Sequence, residues 1–136
     1  MQTTSRVRYT AAEVQRNTFY QMPKFLFEDE FKSLSNDARM LYSLLRDRHE
    51  LSFKNQWFNE DDEIYLIYSR ASMCEKLNLS EKTITKAMNS LKNHKLIEEQ
   101  RQGMGRPNLI YLLTPQSVDF IKNRNFSPSR QGKFPP

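Results

Sequence analysis

Cysteine, histidine and glycine are scarce in this sequence of 136 residues, which contains one, two and three of them. The single cysteine, Cys74, excludes an internal disulfide and is typical of a reducing compartment. Apolar runs are short and the N-terminus has no apolar signal core, so we expect a cytoplasmic protein without a membrane span. Neither His49 nor His94 has a cysteine or a second histidine at the spacing of a metal site, and the sequence shows no recognisable pair of catalytic nucleophile and base. We therefore expect no metal, no cofactor and no enzymatic activity.

Basic charge is in excess, and it is unevenly distributed. The net charge is +5. Residues 28–63 carry ten acidic and five basic side chains, whereas residues 69–113 carry eight basic and four acidic ones. Both ends of the chain are also net basic. Such asymmetry suggests a polyanionic partner, with an ordinary soluble surface as the open alternative.

The length and polarity of the chain predict one folded domain with polar ends. Residues 1–18 read as a basic N-terminal arm and residues 19–123 as the domain. Residues 124–136, RNFSPSRQGKFPP, have no core-forming pattern and read as a flexible linker. A chain that stops in a linker suggests a fragment of a longer protein with a further C-terminal domain.

Three amphipathic stretches, each preceded by a serine, predict three α-helices. Ser35, Ser69 and Ser80 are the expected N-caps. The predicted inner faces are Ala38, Met40, Leu41, Tyr42, Leu44 and Leu45 in the first helix, Met73, Cys74 and Leu77 in the second, and Ile84, Ala87, Met88 and Leu91 in the third.

The segments between and after these helices predict turns and strands. Asn78 is expected in the left-handed conformation that ends the second helix. Residues 51–63 read as a loop that leads into a strand at 64–68. Residues 96–97 and 109–113 read as a hairpin closed by Gly103 and Gly105. Thr114 and Pro115 predict the start of a short helix that ends near Asn123.

Helix, strand, helix, turn, helix and hairpin is the element order of a winged helix-turn-helix, an α+β fold. In that fold the third helix turns a polar face outward, and its residues suit groove reading. Lysine pairs with phosphate or guanine, asparagine with adenine, and threonine offers a hydroxyl and a methyl group. An ordinary solvated face is the alternative, but the local basic charge favours DNA. The candidate contacts on this helix are Lys82, Thr85, Lys86, Asn89 and Asn93, with Thr83 turned sideways toward a phosphate.

The hairpin tip adds two further candidates. Arg101 and Arg106 flank a glycine-bracketed turn, which suits a minor groove or a phosphate backbone. The alternative is an ordinary turn with solubilising charges. Arg70, in the first turn of the second helix, is a further candidate phosphate contact.

Three motifs carry a resemblance to a known family: MPKFLF at 22–27, LLRDRxxLSxKNxW at 44–57 and RQGxGRPNxIY at 101–111. With them the chain resembles the N-terminal domain of RepA-type plasmid replication initiators of Gram-positive bacteria, particularly those of large staphylococcal multiresistance plasmids. The resemblance implies a winged-helix domain that binds repeated double-stranded origin sites as a homodimer or higher oligomer. Its recognition helix is 81–93 and its wing tip 100–107. A separate C-terminal domain is implied to contact host replication proteins.

Two alternatives stay open beside origin binding. One is a plasmid transcriptional regulator with the same fold. The other is a protein-interaction module of a primosome, with segment 19–27 and the first helix as its interface. A pure interaction module has no need for lysines and arginines gathered on the third helix and hairpin, so the charge pattern favours DNA binding.

Overall fold

The computed structural model of the chain describes residues 6–12 and 18–115. The predicted helix from Thr114 to about Asn123 lies outside these residues except for its first two, and the predicted linker at 124–136 lies wholly outside them, as does part of the predicted arm. Residues 24–115 form a mixed α and β domain, and the predicted α+β winged helix-turn-helix is confirmed. Its elements are two 3₁₀ helices, Lys24–Phe27 and Asp29–Phe31, then α1 (Asn36–Lys54), α2 (Arg70–Leu77), α3 (Glu81–Asn93), β1 (Ile97–Gln100) and β2 (Leu109–Leu112).

Each of these α-helices begins at a serine cap. The serine hydroxyl oxygen accepts a hydrogen bond from the backbone N–H three residues later, which satisfies one of the amide groups left open by the first turn. The three predicted helix starts are therefore confirmed. The pairs are Ser35 with Ala38 at 3.1 Å, Ser69 with Ser72 at 3.0 Å, and Ser80 with Thr83 at 3.1 Å.

The core lies where α1 packs against α3, with α2 and the hairpin closing it. The predicted inner faces are buried in α1 and α3, with one exception. Met40 is 50% exposed, because it lies beyond Leu44 at the edge of the buried stripe on the helix surface. In α2 only Met73 is fully buried, while Cys74 and Leu77 are half-buried and pack against the core.

The first α-helix is longer than the sequence predicts. The predicted loop at 51–63 is wrong for its first four residues, because α1 continues through Lys54. Ser52 lies seven residues after Leu45 and is completely buried, so it continues the inner face of the helix with a small polar residue. The helix ends where Gln56 adopts a positive φ of 61°.

The predicted strand at 64–68 does not form a continuous strand. It pairs with β2 at one point only, where Leu66 and Ile110 exchange two backbone hydrogen bonds of 2.8 and 2.9 Å. The N–H of Tyr65 donates instead to the carbonyl oxygen of Trp57 at 3.2 Å. The segment therefore pairs with the outer edge of β2 at a single residue.

The hairpin itself forms as predicted. β1 and β2 pair antiparallel, with Ile97 opposite Leu112 and Gln100 opposite Leu109. Positive φ angles of 118° at Gly103 and 79° at Gly105 allow the turn between them. The N–H of Leu113 donates to the carbonyl oxygen of Leu96 at 2.9 Å, which extends the pairing by one residue at the end of the hairpin opposite the turn. This two-stranded ribbon is the wing.

The turn between α2 and α3 also has its predicted geometry. Asn78 adopts φ 56° and ψ 49°, and its N–H donates to the carbonyl oxygen of Cys74. This left-handed residue ends α2, so that α3 can start two residues later at the Ser80 cap. None of the described helices is long and apolar enough to cross a bilayer.

Candidate nucleic-acid interface

The two sides of α3 differ sharply in polarity. Ile84, Ala87, Met88 and Leu91 are buried against α1 and α2. Burial of this stripe fixes the rotation of the helix, so the opposite face is presented to solvent. The residues predicted on that face are all exposed: Lys82, Thr85, Lys86, Asn89 and Asn93.

These exposed residues line one shallow depression of about 800 Å³ along α3. Glu81, Ser90 and His94 complete its lining, and the sequence did not single out these three. Along the helix, the depression presents ammonium, hydroxyl and amide groups, together with the carboxylate of Glu81 and the imidazole of His94. Such a surface can follow a nucleic-acid groove, because it offers donors to phosphate and both donors and acceptors to base edges.

The start of α3 presents a further hydroxyl. Ser80 Oγ caps the helix and also donates to Thr83 Oγ1 at 3.0 Å. The Thr83 hydroxyl therefore keeps its own proton for an external acceptor. Thr83 is half-buried, between the exposed and the buried faces of the helix. A phosphate oxygen near a helix N-terminus is an acceptor of the right kind.

The end of α3 is anchored by a histidine. His94 Nδ1 lies 2.9 Å from the carbonyl oxygen of Ser90, and its Nε2 lies 2.8 Å from Ser33 Oγ. The imidazole ring also packs 6.1 Å from the ring of Phe31. These contacts tie the last turn of α3 to the segment that precedes α1. His94 thus has a structural explanation, and no signal in the sequence indicated it.

The wing tip is braced from within. Gln102 Nε2 donates to the carbonyl oxygen of Pro107 at 2.7 Å, and the N–H of Arg106 donates to the carbonyl oxygen of Gly103 at 3.2 Å. Arg101 and Arg106 are both exposed, and Met104 stands fully exposed at the apex. A closed turn with two exposed guanidinium groups is narrow and positively charged, which suits contact with a minor groove.

Arg70 is in a different situation from the other candidates. Its Nη2 donates to Glu99 Oε1 on β1 at 3.2 Å, so the predicted phosphate contact is engaged inside the protein. Lys92 Nζ, from the last turn of α3, contacts the same carboxylate oxygen. Glu99 and Lys92 are not among the residues that the sequence pattern predicts for the interface. One signal was available: Glu99 lies two residues after the buried Ile97 and therefore on the same face of the strand.

The surroundings of Glu99 favour the ionised form of its carboxyl group. Burial raises its pKa, but hydrogen bonds from Lys92 and Arg70, the Coulombic attraction of Arg70 and a contact from Asn108 more than offset that effect. The pKa of Glu99 therefore lies below its ordinary value. Glu99 is thus an anion held by two cations at the base of the wing.

No metal site accompanies this surface in residues 6–12 and 18–115, where no three side chains of His, Cys, Asp or Glu are grouped to hold an ion. The surface offers charge and hydrogen-bonding groups on a helix and a hairpin. This arrangement defines the winged helix-turn-helix class.

Comparison with known proteins identifies the family. Residues 18–123 match the family model described as the N-terminus of replication initiator protein A (RepA). The chain belongs to this family of replication initiator N-terminal domains.

Relatives and solved structures agree with this assignment. A "41 kDa protein" of Lactobacillus helveticus is 31% identical over 116 residues, which cover 80% of this chain and 33% of that protein. The chain thus spans about a third of the length of this relative. A structure titled "N-Terminal domain of DNA binding protein" is 35% identical with a TM-score of 0.69, covering 92% of this chain and 98% of the other. One titled "Structure of Rep-DNA complex" is 35% identical with a TM-score of 0.68, covering 93% and 100%.

Proposed function

We propose that this chain is the DNA-binding domain of a plasmid replication initiator and recognises repeated double-stranded sites in the plasmid origin. In this proposal α3 enters the major groove and the wing contacts the adjacent minor groove or backbone. Membership of the initiator family supports it, as does the similarity to a structure titled as a Rep–DNA complex. The chain performs no chemistry of its own.

The outward face of α3 is the observation that carries the proposal. Lys82 and Lys86 supply positive charge to phosphates, and Thr85 adds a hydroxyl and a methyl group. Asn89 and Asn93 have amide groups that can pair with adenine in two-point fashion. All five are exposed on a helix whose other side is locked into the core.

The wing and the start of α3 extend this contact. Arg101 and Arg106 at the tip reach a minor groove or the backbone beside it, where arginine is favoured in narrow regions. Thr83 donates its hydroxyl to a phosphate near the helix N-terminus. Arg70 is the exception among the sequence-based candidates, since Glu99 already engages it.

Assembly and partners follow from the same proposal. Repeated sites call for a homodimer or a higher oligomer, so that neighbouring domains occupy neighbouring repeats. Contact with host replication proteins belongs to a separate C-terminal domain in this scheme. An initiator that binds within its own gene would also repress that gene, which includes the role of a transcriptional regulator.

Exposed apolar side chains favour a second candidate, a protein-interaction module. Phe27, in the segment before α1, and Met40, on α1, are each about half exposed. They suit a protein contact, which a homodimer would also provide. The basic residues of α3 and the wing have no role in such a module, so we place DNA binding first.

Fluorescence anisotropy tests the proposed function. The labelled probes are a duplex from the coding region of the initiator and a shuffled duplex of the same composition, each measured across a salt series. Four cations, Lys82, Lys86, Arg101 and Arg106, would neutralise four phosphates. The logarithm of the binding constant then falls with the logarithm of salt at a slope of about −3.6 per protomer.

A matched pair of variants locates the surface. Lys86→Ala reduces the magnitude of the slope by about 0.9, whereas Lys54→Ala, at the end of α1, leaves it unchanged. Equal affinity for both duplexes that is lost at moderate salt would show that the surface binds DNA without sequence specificity. Failure to bind either duplex would contradict DNA binding and favour the protein-interaction module.

A further inference from the structure

Glu99 lies at the junction of three elements of the domain. Its side chain, on β1, is only 8% exposed. Arg70 reaches it from the first turn of α2 at 3.2 Å, and Lys92 reaches it from the last turn of α3. Asn108, in the loop that returns to β2, places its Nδ2 3.4 Å from Glu99 Oε2. Both carboxylate oxygens therefore have partners, and each partner comes from a different part of the fold.

These contacts constrain the wing. Outside the hairpin, the wing pairs through its backbone at a single point, Leu66 with Ile110, so backbone pairing alone does little to fix its orientation relative to α2 and α3. A mostly buried carboxylate with charged partners on two helices resists a change in that orientation, because a displaced Glu99 leaves an uncompensated charge. The strand is thereby fixed relative to α2 and α3 together.

The same contacts change the electrostatics of the basic surface. Arg70 and Lys92 carry two positive charges. Both side chains contact the same carboxylate oxygen of Glu99. The single negative charge of Glu99 offsets one of these two positive charges, and its contacts hold both side chains at the base of the wing. The domain therefore presents fewer mobile cations to DNA than its sequence indicates.

Resting on the proposed DNA-binding function, we infer that Glu99 is a positioning residue that sets the wing against α3 and withholds Arg70 and Lys92 from DNA phosphates. The wing then meets DNA at a fixed distance and angle from the recognition helix. Sequence discrimination gains from this geometry, while non-specific attraction is kept lower than two free cations would make it. An acidic residue inside a basic surface thus favours the native site over other DNA.

The salt dependence of binding tests which cations meet phosphate. Arg70→Gln and Lys92→Gln are compared with Lys82→Gln and Lys86→Gln on the coding-region duplex. The first pair leaves the salt slope at its wild-type value, although affinity falls as the wing loosens. Each variant of the second pair reduces the magnitude of the slope by about 0.9. A reduction of about 0.9 in Arg70→Gln or Lys92→Gln would overturn the inference.

Removal of the carboxylate charge tests the positioning itself. Glu99→Gln keeps the size of the side chain and releases both cations, with Glu98→Gln on the exposed face of β1 as its control. We expect Glu99→Gln to bind shuffled DNA more tightly, with a slope steeper by about 0.9 for each released cation. Discrimination between the two duplexes falls roughly tenfold, the size of one lost base contact. Unchanged discrimination in a folded Glu99→Gln protein would overturn the inference, since a merely stabilising ion pair predicts that result.

A measurement without DNA separates this inference from the proposed function. Spin labels on Met104→Cys and Lys76→Cys, with Cys74→Ser, report the distance between the wing tip and α2 by electron–electron double resonance. We expect a narrow distance distribution with Glu99 and a broad one with Glu99→Gln. An equally narrow distribution would overturn the positioning role. Failure of the wild-type domain to discriminate the duplexes would instead overturn the proposed function.

Discussion

Arg39 Nε, inside the domain, donates to the backbone carbonyl oxygen of Leu26 at 2.9 Å. The same guanidinium donates to the carbonyl oxygen of Phe31 at 3.1 Å and to Asn36 Oδ1 at 2.9 Å. It also lies 4.8 Å from the centre of the Phe27 ring. One buried side chain of α1 thus holds both 3₁₀ helices of the preceding segment.

The first prediction concerns this contact. Arg39→Lys loses the forked geometry, because one ammonium group cannot reach two separated carbonyl oxygens and the Asn36 side chain together. We expect the free energy of unfolding to fall by about 1.5–3 kcal/mol, the size of a lost charged hydrogen bond. Urea denaturation measures the change, with Arg106→Lys on the exposed wing as the neutral control. Equal stability of the two variants would contradict the described role of Arg39.

The second prediction concerns backbone conformation. Lys95 is exposed and adopts φ 59°, a region that is strained for a residue with a side chain. Lys95→Gly should raise the free energy of unfolding by up to about 1 kcal/mol, because glycine adopts this φ without strain. Lys76→Gly, inside α2, should lower it by about 1 kcal/mol. Thermal unfolding distinguishes the two, and a loss of stability in Lys95→Gly would show that this φ is not strained.

The third prediction concerns base recognition. Asn89→Ala removes an amide that the proposal places against a base edge. We expect a loss of about 1–3 kcal/mol on the native duplex and a relaxed preference at one base pair. Lys86→Ala is the comparison, since loss of a phosphate contact weakens all sequences alike. Competition against a set of single-base variants reads out the preference, and full discrimination by Asn89→Ala would remove this residue from the recognition set.

The fourth prediction is a pH dependence of stability. The pKa of Glu99 lies below its ordinary value of 4.5 in the folded protein, with Arg70 and Lys92 as the facing cations. A lowered pKa stabilises the fold at pH values above 4.5, and this contribution is lost as the pH falls through the lowered pKa. The stability difference between wild type and Glu99→Gln should therefore be constant at neutral pH and shrink below pH 4.5. Denaturation curves at a series of pH values would contradict this account if the difference grew in acid.

Local signals account for the parts of the fold that the sequence predicts well. Each serine cap is a hydrogen bond between residues three positions apart. The turn at Asn78 requires only that asparagine adopts a positive φ readily. The outward face of α3 follows in the same way from the period of its buried residues. These features need no knowledge of distant contacts.

Features that depend on tertiary packing were predicted poorly. The helical period predicts Met40 in the core because this residue lies next to the buried stripe on the helix surface, and only the packing of α1 decides where the stripe ends. The segment at 64–68 has the composition of a strand, but Tyr65 bonds to Trp57 instead of to β2. The contact of Arg70 with Glu99 joins residues 29 positions apart, which no local pattern indicates.

The most direct test of the central claim maps the DNA-binding surface residue by residue. Titration of the ¹⁵N-labelled domain with the coding-region duplex, followed by two-dimensional NMR, reports which backbone amides change their environment. The account predicts large shifts in residues 81–93 and 101–107, with small shifts in the exposed part of α1. Shifts concentrated in α1 and residues 19–27, with α3 and the wing unaffected, would contradict it.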